Sequence, residues 1–189
     1  MAMSMKRPFD IAGAAAGVVV FAPIMAVVAT AILLDDGGPV LFRQERVGHR
    51  RRPFVICKFR TMRDGQITRV GRVLRATGLD EIAQFFNILN GDMSAVGPRP
   101  LTGGDVQRLG WSSEAFDFRW KVRPGLTGLA QIAGAKSSDE TLAFDRVYVT
   151  RWRPLLDCQL IALSFAVNVF GKSRVRQLMH ERLRAIPDL

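Results

Sequence analysis

The stretch IAGAAAGVVVFAPIMAVVATAILL, from Ile11 to Leu34, carries no charged residue. At about 1.5 Å per residue it makes a helix of roughly 36 Å, longer than the roughly 30 Å hydrocarbon core of a bilayer. A buried helix of a soluble protein would keep a polar outer face, and none is visible here. Ala29-Thr30-Ala31 has the small-residue pattern of a signal-peptide cleavage site. The apolar run is nevertheless longer than the roughly 7–15 residues of a secretory core. Residues 1–36 therefore read as a membrane anchor.

The charges on either side complicate a simple span. Lys6 and Arg7 precede the run, and Arg43 to Arg75 holds eleven Lys/Arg against the acids Glu45 and Asp64. Both flanks are retained in the cytoplasm by the same rule, and a straight helix cannot satisfy both. Pro23, after Ala22, lies near the middle of the run. It removes the bond to the Val19 carbonyl and crowds the preceding turn. A helix broken there can enter the bilayer and leave by the same face, provided that protein or water covers the freed backbone groups. A Pro-kinked crossing helix is the alternative, and charge placement favours re-entry. Gly13-x-x-x-Gly17 is a candidate helix-packing face.

The remainder reads as one cytoplasmic-face unit, 37–189. The chain has 189 residues, 48% of them hydrophobic, and a formal charge of +10. That is too apolar for a disordered chain and long enough for a core. Its two His, His49 and His180, are far apart, and Cys57 and Cys158 form no CxxC. Zinc chemistry and a disulfide scaffold are thereby disfavoured. Phosphate-loop, dinucleotide and nucleophile-elbow motifs are absent from the sequence.

Val40–Val47 and Phe54–Phe59 read as two strands of a hairpin with the basic tip Gly48-His49-Arg50-Arg51-Arg52-Pro53. Thr77-x-x-Asp80 reads as a capping box opening a helix that stops at Asn90-Gly91. Gly97-Pro98-Arg99-Pro100 is expected as a rigid loop and Arg123 to Gly128 as a turn. Ser137-x-x-Glu140 opens a helix to about Arg151. Pro154–Phe170 is expected as a core or interfacial helix ending at Gly171, followed by a basic helix from Lys172 to Arg184 suited to anionic headgroups.

Lys58, Arg60, Arg75, Arg99 and Arg123 stand beside turns or strand ends. Guanidinium forks suit phosphate oxygens, although basic residues near a membrane also serve lipid contact. Asp80-Glu81 falls in the first turn of the expected helix. There the helix dipole lowers a carboxylate pKa, so Asp80 is expected to stay ionised and able to attack phosphorus. The bland reading is ordinary acid bias at a helix start. Asp92 and Asp145 are further candidates of the same kind.

Several ordered blocks carry a resemblance. They are Lys6 to Asp10, Arg43 to Gly48, Lys58-Phe59-Arg60-Thr61-Met62, Leu79 to Ser94, Val96 to Pro100, and Lys121 to Gln131. Together they resemble the small monotopic polyprenyl-phosphate phosphoglycosyl transferases, or bacterial sugar transferases. The resemblance implies a mostly helical α+β protein with a re-entrant membrane helix, a β-hairpin and a small helical catalytic domain with interfacial helices. It implies transfer of a phospho-sugar from a UDP-sugar to polyprenyl phosphate, with UMP released through an aspartyl intermediate, to initiate glycoconjugate assembly. Asp80 matches the family nucleophile and Glu81 the second acid, and both are the expected Mg²⁺ ligands. Lys58, Arg60, Arg75, Asn87, Asp92, Arg99, Arg123, Thr127, Gln131 and Asp145 are the expected substrate-binding positions. The expected setting is the cytoplasmic face of the bacterial inner membrane, with anionic phospholipid as a partner. A homodimer stays open.

Ala22-Pro23 replaces the Ser-Pro pair at which family helices commonly break, and Ala133-Gly134-Ala135 replaces a common Asn-Gly-Arg. The Ser hydroxyl would help fix the bend, and the second change bears on sugar or uridine recognition. Two other readings compete. One is a non-catalytic basic scaffold of a glycan assembly complex. The other is nucleic-acid binding, which the charge permits but the apolar run and the absence of any nucleic-acid motif oppose.

Overall fold

A computed structural model describes residues 6–170. The expected basic helix from Lys172, and the stop at Gly171, lie outside those residues. α1 (Lys6–Asp36) is one helix with Pro23 in its interior. Among the described residues it is the helix long and apolar enough to cross a membrane. Ala14, Val28 and Ile32 are buried, and Gly17, Phe21 and Met25 continue the same stripe at helical spacing. Val19, Val20, Val27 and Leu34 on the other sides are exposed. Of the expected glycine pair, Gly17 packs, with no room for a methyl group against the Phe85 ring, whereas Gly13 faces open space.

β1 (Leu41–Val47) and β2 (Pro53–Phe59) form the anticipated antiparallel hairpin, in register from Leu41↔Phe59 to Val47↔Pro53. Phe54, Ile56 and Phe59 point into the core. The basic tip closes through a short 3₁₀ turn with Arg50 and Arg51 at positive φ. Arg51 holds it by donating to Asp117 Oδ1 at 2.8 Å and to the Ser113 carbonyl at 2.9 Å. A small hairpin follows, β3 (Met62–Arg63) with β4 (Gln66–Ile67).

The expected capping box at Thr77 is corrected. α2 (Arg69–Thr77) ends at Thr77, capped at its start by Thr68. The Thr77 hydroxyl donates back to Val73 O at 2.9 Å, so it is spent inside its own helix. Gly78, at φ 73°, terminates the helix, and a 3₁₀ helix over Leu79–Gln84 leads into α3 (Phe85–Asn90). The predicted stop at Asn90-Gly91 is present, with Gly91 at φ 95°.

β5 (Ser94–Val96) pairs in parallel with β6 (Gly125–Thr127). Between them lie α4 (Gly103–Arg108) and α5 (Asp117–Trp120). Gly97 and Gly125 make the crossing close: a Cβ on Gly125 would lie 2.0 Å from Gly97 N. α6 (Leu129–Ala133), α7 (Ser138–Thr150) and α8 (Pro154–Phe170) complete the described fold. Ser137 caps α7 as expected, while Glu140 Oε2 accepts from Lys136 N at 2.7 Å.

Among the described residues four apolar clusters hold these pieces together. One joins Val28 and Ile32 of α1 to Phe59, Leu74, Ile82 and Ala83. A second joins Ala14 to Phe54, Ile56, Ile88 and Met93. The third packs Val96 against α6, α7 and α8, and the fourth is built on Val106, Trp111 and Trp120. The helix α1 is thus packed against the domain towards both of its ends.

Candidate active site

Asp80 and Glu81 stand on the 3₁₀ helix, whose Ile82 and Ala83 are buried beside Val28 and Ile32 of α1. This packing seats the 3₁₀ helix that carries the two acids against α1. Lys58, near the end of β2, donates to Glu81 Oε1 at 2.6 Å. Arg75, in the last turn of α2, donates through Nε to buried Thr61 Oγ1 at 2.9 Å. Lys58, Glu81 and Arg75 all act electrostatically on Asp80.

The expected depression of the Asp80 pKa is corrected. Burial and the neighbouring Glu81 charge raise it, and the Lys58 and Arg75 cations only partly oppose them. The acid sits on a short 3₁₀ helix rather than in the first turn of a long α-helix, so little macrodipole acts on it.

The other expected site residues separate into distinct groups. Arg60 is ion-paired to Asp36 at the end of α1. Asn87 is buried and locks β2: its Oδ1 accepts from Cys57 N at 2.9 Å and its Nδ2 donates to Val55 O at 2.7 Å. Asn87 and Asp92 line an open groove of about 620 Å³ with Arg43, Glu45, Val55 and Cys57. By strand alternation these hairpin side chains project from the face opposite Lys58. Arg123 donates to the Gly91 carbonyl at 2.7 Å.

Thr127 accepts through its backbone oxygen from Gly97 N at 2.9 Å. Gln131 keeps a buried Oε1 with no partner among the described residues, close against Gly128. Arg99 is exposed on its loop. Asp145 is buried and accepts from Arg119 Nε at 2.7 Å. Among the described residues no hydrogen bond or ion pair joins Arg99, Arg123, Thr127, Gln131 or Asp145 to the Asp80–Glu81 pair.

Sequence reasoning passed over Arg119 and the network around Lys6. The Lys6 ammonium pairs with Asp157, which also accepts from Tyr148 Oη at 2.9 Å and from Trp152 Nε1 at 3.0 Å. Asp10 accepts from Ser94 Oγ and Ala95 N, both at 3.0 Å. These partners lie far apart in sequence, so no local pattern marks them. The only signal was the Lys6-to-Asp10 block itself.

No group of three or more His, Cys, Asp or Glu among the described residues is arranged to hold a metal. Two adjacent carboxylates nevertheless fit Mg²⁺, which binds through one or two carboxylates and completes its shell with water and substrate phosphates. The repulsion that raises the Asp80 pKa is what a divalent cation would relieve.

A family model described as bacterial sugar transferase matches residues 1–171. A UDP-glucose:undecaprenyl-phosphate glucose-1-phosphate transferase of Klebsiella pneumoniae is 36% identical over an alignment of 192 residues, which covers 90% of this chain and 41% of that protein. A protein of the same name from Caulobacter vibrioides is 38% identical, covering 82% of this chain and 66% of its own length. A UDP-N-acetylgalactosamine-undecaprenyl-phosphate N-acetylgalactosaminephosphotransferase of Aeromonas hydrophila is 37% identical, covering 88% of this chain and 44% of that protein. The chain therefore spans from about two fifths to about two thirds of these relatives.

Proposed function

Because this chain belongs to the bacterial sugar transferase family, we propose that it transfers a sugar phosphate from a UDP-sugar to undecaprenyl phosphate. The observation that carries the reading is the Asp80–Glu81 pair, flanked by Lys58 and Arg75 and seated on α1. It offers a nucleophile, cations for a diphosphate and an apolar neighbour for a lipid substrate in one place. Relatives are named for glucose and for N-acetylgalactosamine, so the sugar is a matter for experiment.

In the proposed reaction an Asp80 carboxylate oxygen attacks the phosphorus that bears the sugar. The new oxygen–phosphorus bond forms as the bond to the bridging diphosphate oxygen breaks, and UMP leaves. A phosphate oxygen of undecaprenyl phosphate then attacks the same phosphorus. The bond to Asp80 breaks, which restores the carboxylate and yields the polyprenyl diphosphate sugar. Lys58 orients Glu81, and Arg75 adds positive charge where phosphate oxygens must sit. Asp80 and Glu81 are the residues that would hold Mg²⁺, which supplies charge neutralisation when bound.

We further propose that α1 enters and leaves one leaflet around Ala22-Pro23. Lys6 and Asp10 at one end, and Asp36 at the other, are bound to the same domain. A helix tied at both ends to one body has no free end to send across the bilayer. With the basic flanks, this supports an active site on the cytoplasmic face of the bacterial inner membrane.

The test is UMP release by purified protein with Mg²⁺, undecaprenyl phosphate and a panel of UDP-sugars. Turnover with one sugar, lost in Asp80→Asn and on chelation, is the expected result. Silence across the panel from folded, lipid-bound protein would favour a non-catalytic scaffold.

A further inference from the structure

Thr61 lies between β2 and β3 and is buried. It meets α2 at three points along one face. Its carbonyl oxygen accepts from the N–H of Thr68, the helix N-cap, at 3.1 Å. A Cβ on Gly71 would lie 2.1 Å from that same oxygen, so the missing side chain lets the helix come this near. Its hydroxyl accepts from Arg75 Nε at 2.9 Å. Positions 68, 71 and 75 share one side of a helix, so this one residue fixes α2 along its length.

The stretch that carries Thr61 is itself anchored. Phe59 is buried against α1. Arg60 N donates to the Val40 carbonyl at 2.9 Å, and the Arg60 guanidinium pairs with Asp36. Lys58, three residues before Thr61, donates to Glu81 Oε1 at 2.6 Å. One short stretch therefore grips Glu81 through Lys58 and Arg75 through Thr61. Arg75 and Asp80 are brought together by the fold: Gly78 joins α2 directly to the 3₁₀ helix, and Leu74 packs with Ile82 and Ala83. Arg75 is exposed, and among the described residues its Nη groups have no hydrogen bond or ion pair. Its guanidinium is held at the root and free at the tip.

We infer that Thr61 is a positioning residue for the proposed transfer: its hydroxyl fixes Arg75 so that the guanidinium charge acts on the Asp80 carboxylate. The inference rests on the proposed transferase reading. An exposed guanidinium left free to turn would be screened by water, whereas one held at Nε is already ordered when the reaction needs it. The other charges that face Asp80 are Glu81 on its own 3₁₀ helix and Lys58 on β2, and α1 meets that helix through the uncharged Val28 and Ile32. Loosening Arg75 leaves Lys58 alone to oppose burial and the Glu81 charge, so Asp80 would take up its proton at higher pH.

The experiment is UMP release with the active UDP-sugar across pH, with thermal unfolding of each variant. Thr61→Val keeps the shape of the side chain and removes the hydroxyl. It should lower kcat/KM about 10-fold, the loss expected for one hydrogen bond to a charged group, and move the acidic limb of the profile to higher pH. Thr61→Ser, which keeps the hydroxyl, should recover both. Arg75→Gln should show the same upward move of the limb, and Thr61→Val should add almost nothing to it. Arg75→Lys decides if Thr61→Val does not fold: it keeps a positive charge but has no Nε–H for the Thr61 hydroxyl, and should also lose about 10-fold. A folded Thr61→Val with wild-type rate and profile, a loss that Thr61→Ser does not recover, an Arg75→Lys equal to wild type, or effects that multiply independently would overturn the inference. An inactive wild-type protein would overturn the transferase reading itself, and the inference with it.

Discussion

The Lys58 ammonium is bonded to Glu81 at 2.6 Å, so the cation nearest the acid pair is committed to the second carboxylate. Asp80 feels that cation only at longer range, together with the repulsion of Glu81. The pair is therefore asymmetric: one acid is held, and the other is strained by burial.

Replacing Lys58 by Met should expose this asymmetry. It removes a charge that lowers the Asp80 pKa and frees Glu81, so the acidic limb of kcat/KM should move to higher pH. The stability change should be about 1 kcal/mol or less, because both side chains are partly exposed. A pH–rate profile of wild type and variant, each with its thermal midpoint, measures both effects.

Asp80→Asn should stabilise the resting protein. The folded pKa of Asp80 is raised, so the native state holds its proton more tightly than the unfolded chain does. The ionised acid costs stability at neutral pH, and the penalty fades as pH falls towards the unfolded carboxylate value. The variant should accordingly melt above wild type at pH 7, with the gap closing towards pH 4. A lower melting temperature for the variant at pH 7 would contradict the burial account.

Gly125→Ala should be costly for a steric reason. The added methyl would meet Gly97 N at 2.0 Å and Thr127 O at 2.3 Å, both backbone atoms that cannot turn aside. A loss of about 3 kcal/mol in denaturant unfolding is expected, because β5 and β6 must part and carry the Arg99 loop with them.

The path of α1 can be read by labelling. With Cys57 and Cys158 replaced, single cysteines at Phe9 and Leu34, both exposed, should resist a membrane-impermeant reagent added from the periplasmic side. Both should react once the cells are opened. Labelling of one end alone from outside would mean a crossing helix.

How far the fold was legible depended on whether its signals were local. The hairpin was readable because Phe54 and Ile56 alternate with polar or exposed partners, and α7 because Ser137 and Glu140 sit at capping distance. The helix α2 was hidden in a run of arginines, although Thr68 before it and Gly78 after it were there to be read. Its absence from the sequence reading shifted the cap to Thr77 and placed Asp80 in the wrong kind of turn. Asp80, Glu81 and Lys58 stood out as residues of their blocks, but the bond between Lys58 and Glu81 did not. The direction of the Asp80 shift was not legible either, because it arises from burial in the folded chain and from the Glu81 charge beside it, and burial is set by tertiary packing rather than by a local pattern. Arg119 and Asp145, 26 residues apart, carry no local pattern that announces a buried pair.

The central claim is that Asp80 carries the phospho-sugar between the two substrates. The most direct measurement is mass spectrometry of the protein after incubation with Mg²⁺ and its UDP-sugar in the absence of undecaprenyl phosphate. One equivalent of UMP should appear, and the peptide containing Asp80 should gain the mass of one sugar phosphate, which is lost again when the acceptor is added. Release of UMP only when both substrates are present, with the Asp80 peptide unmodified at every time, would contradict the account.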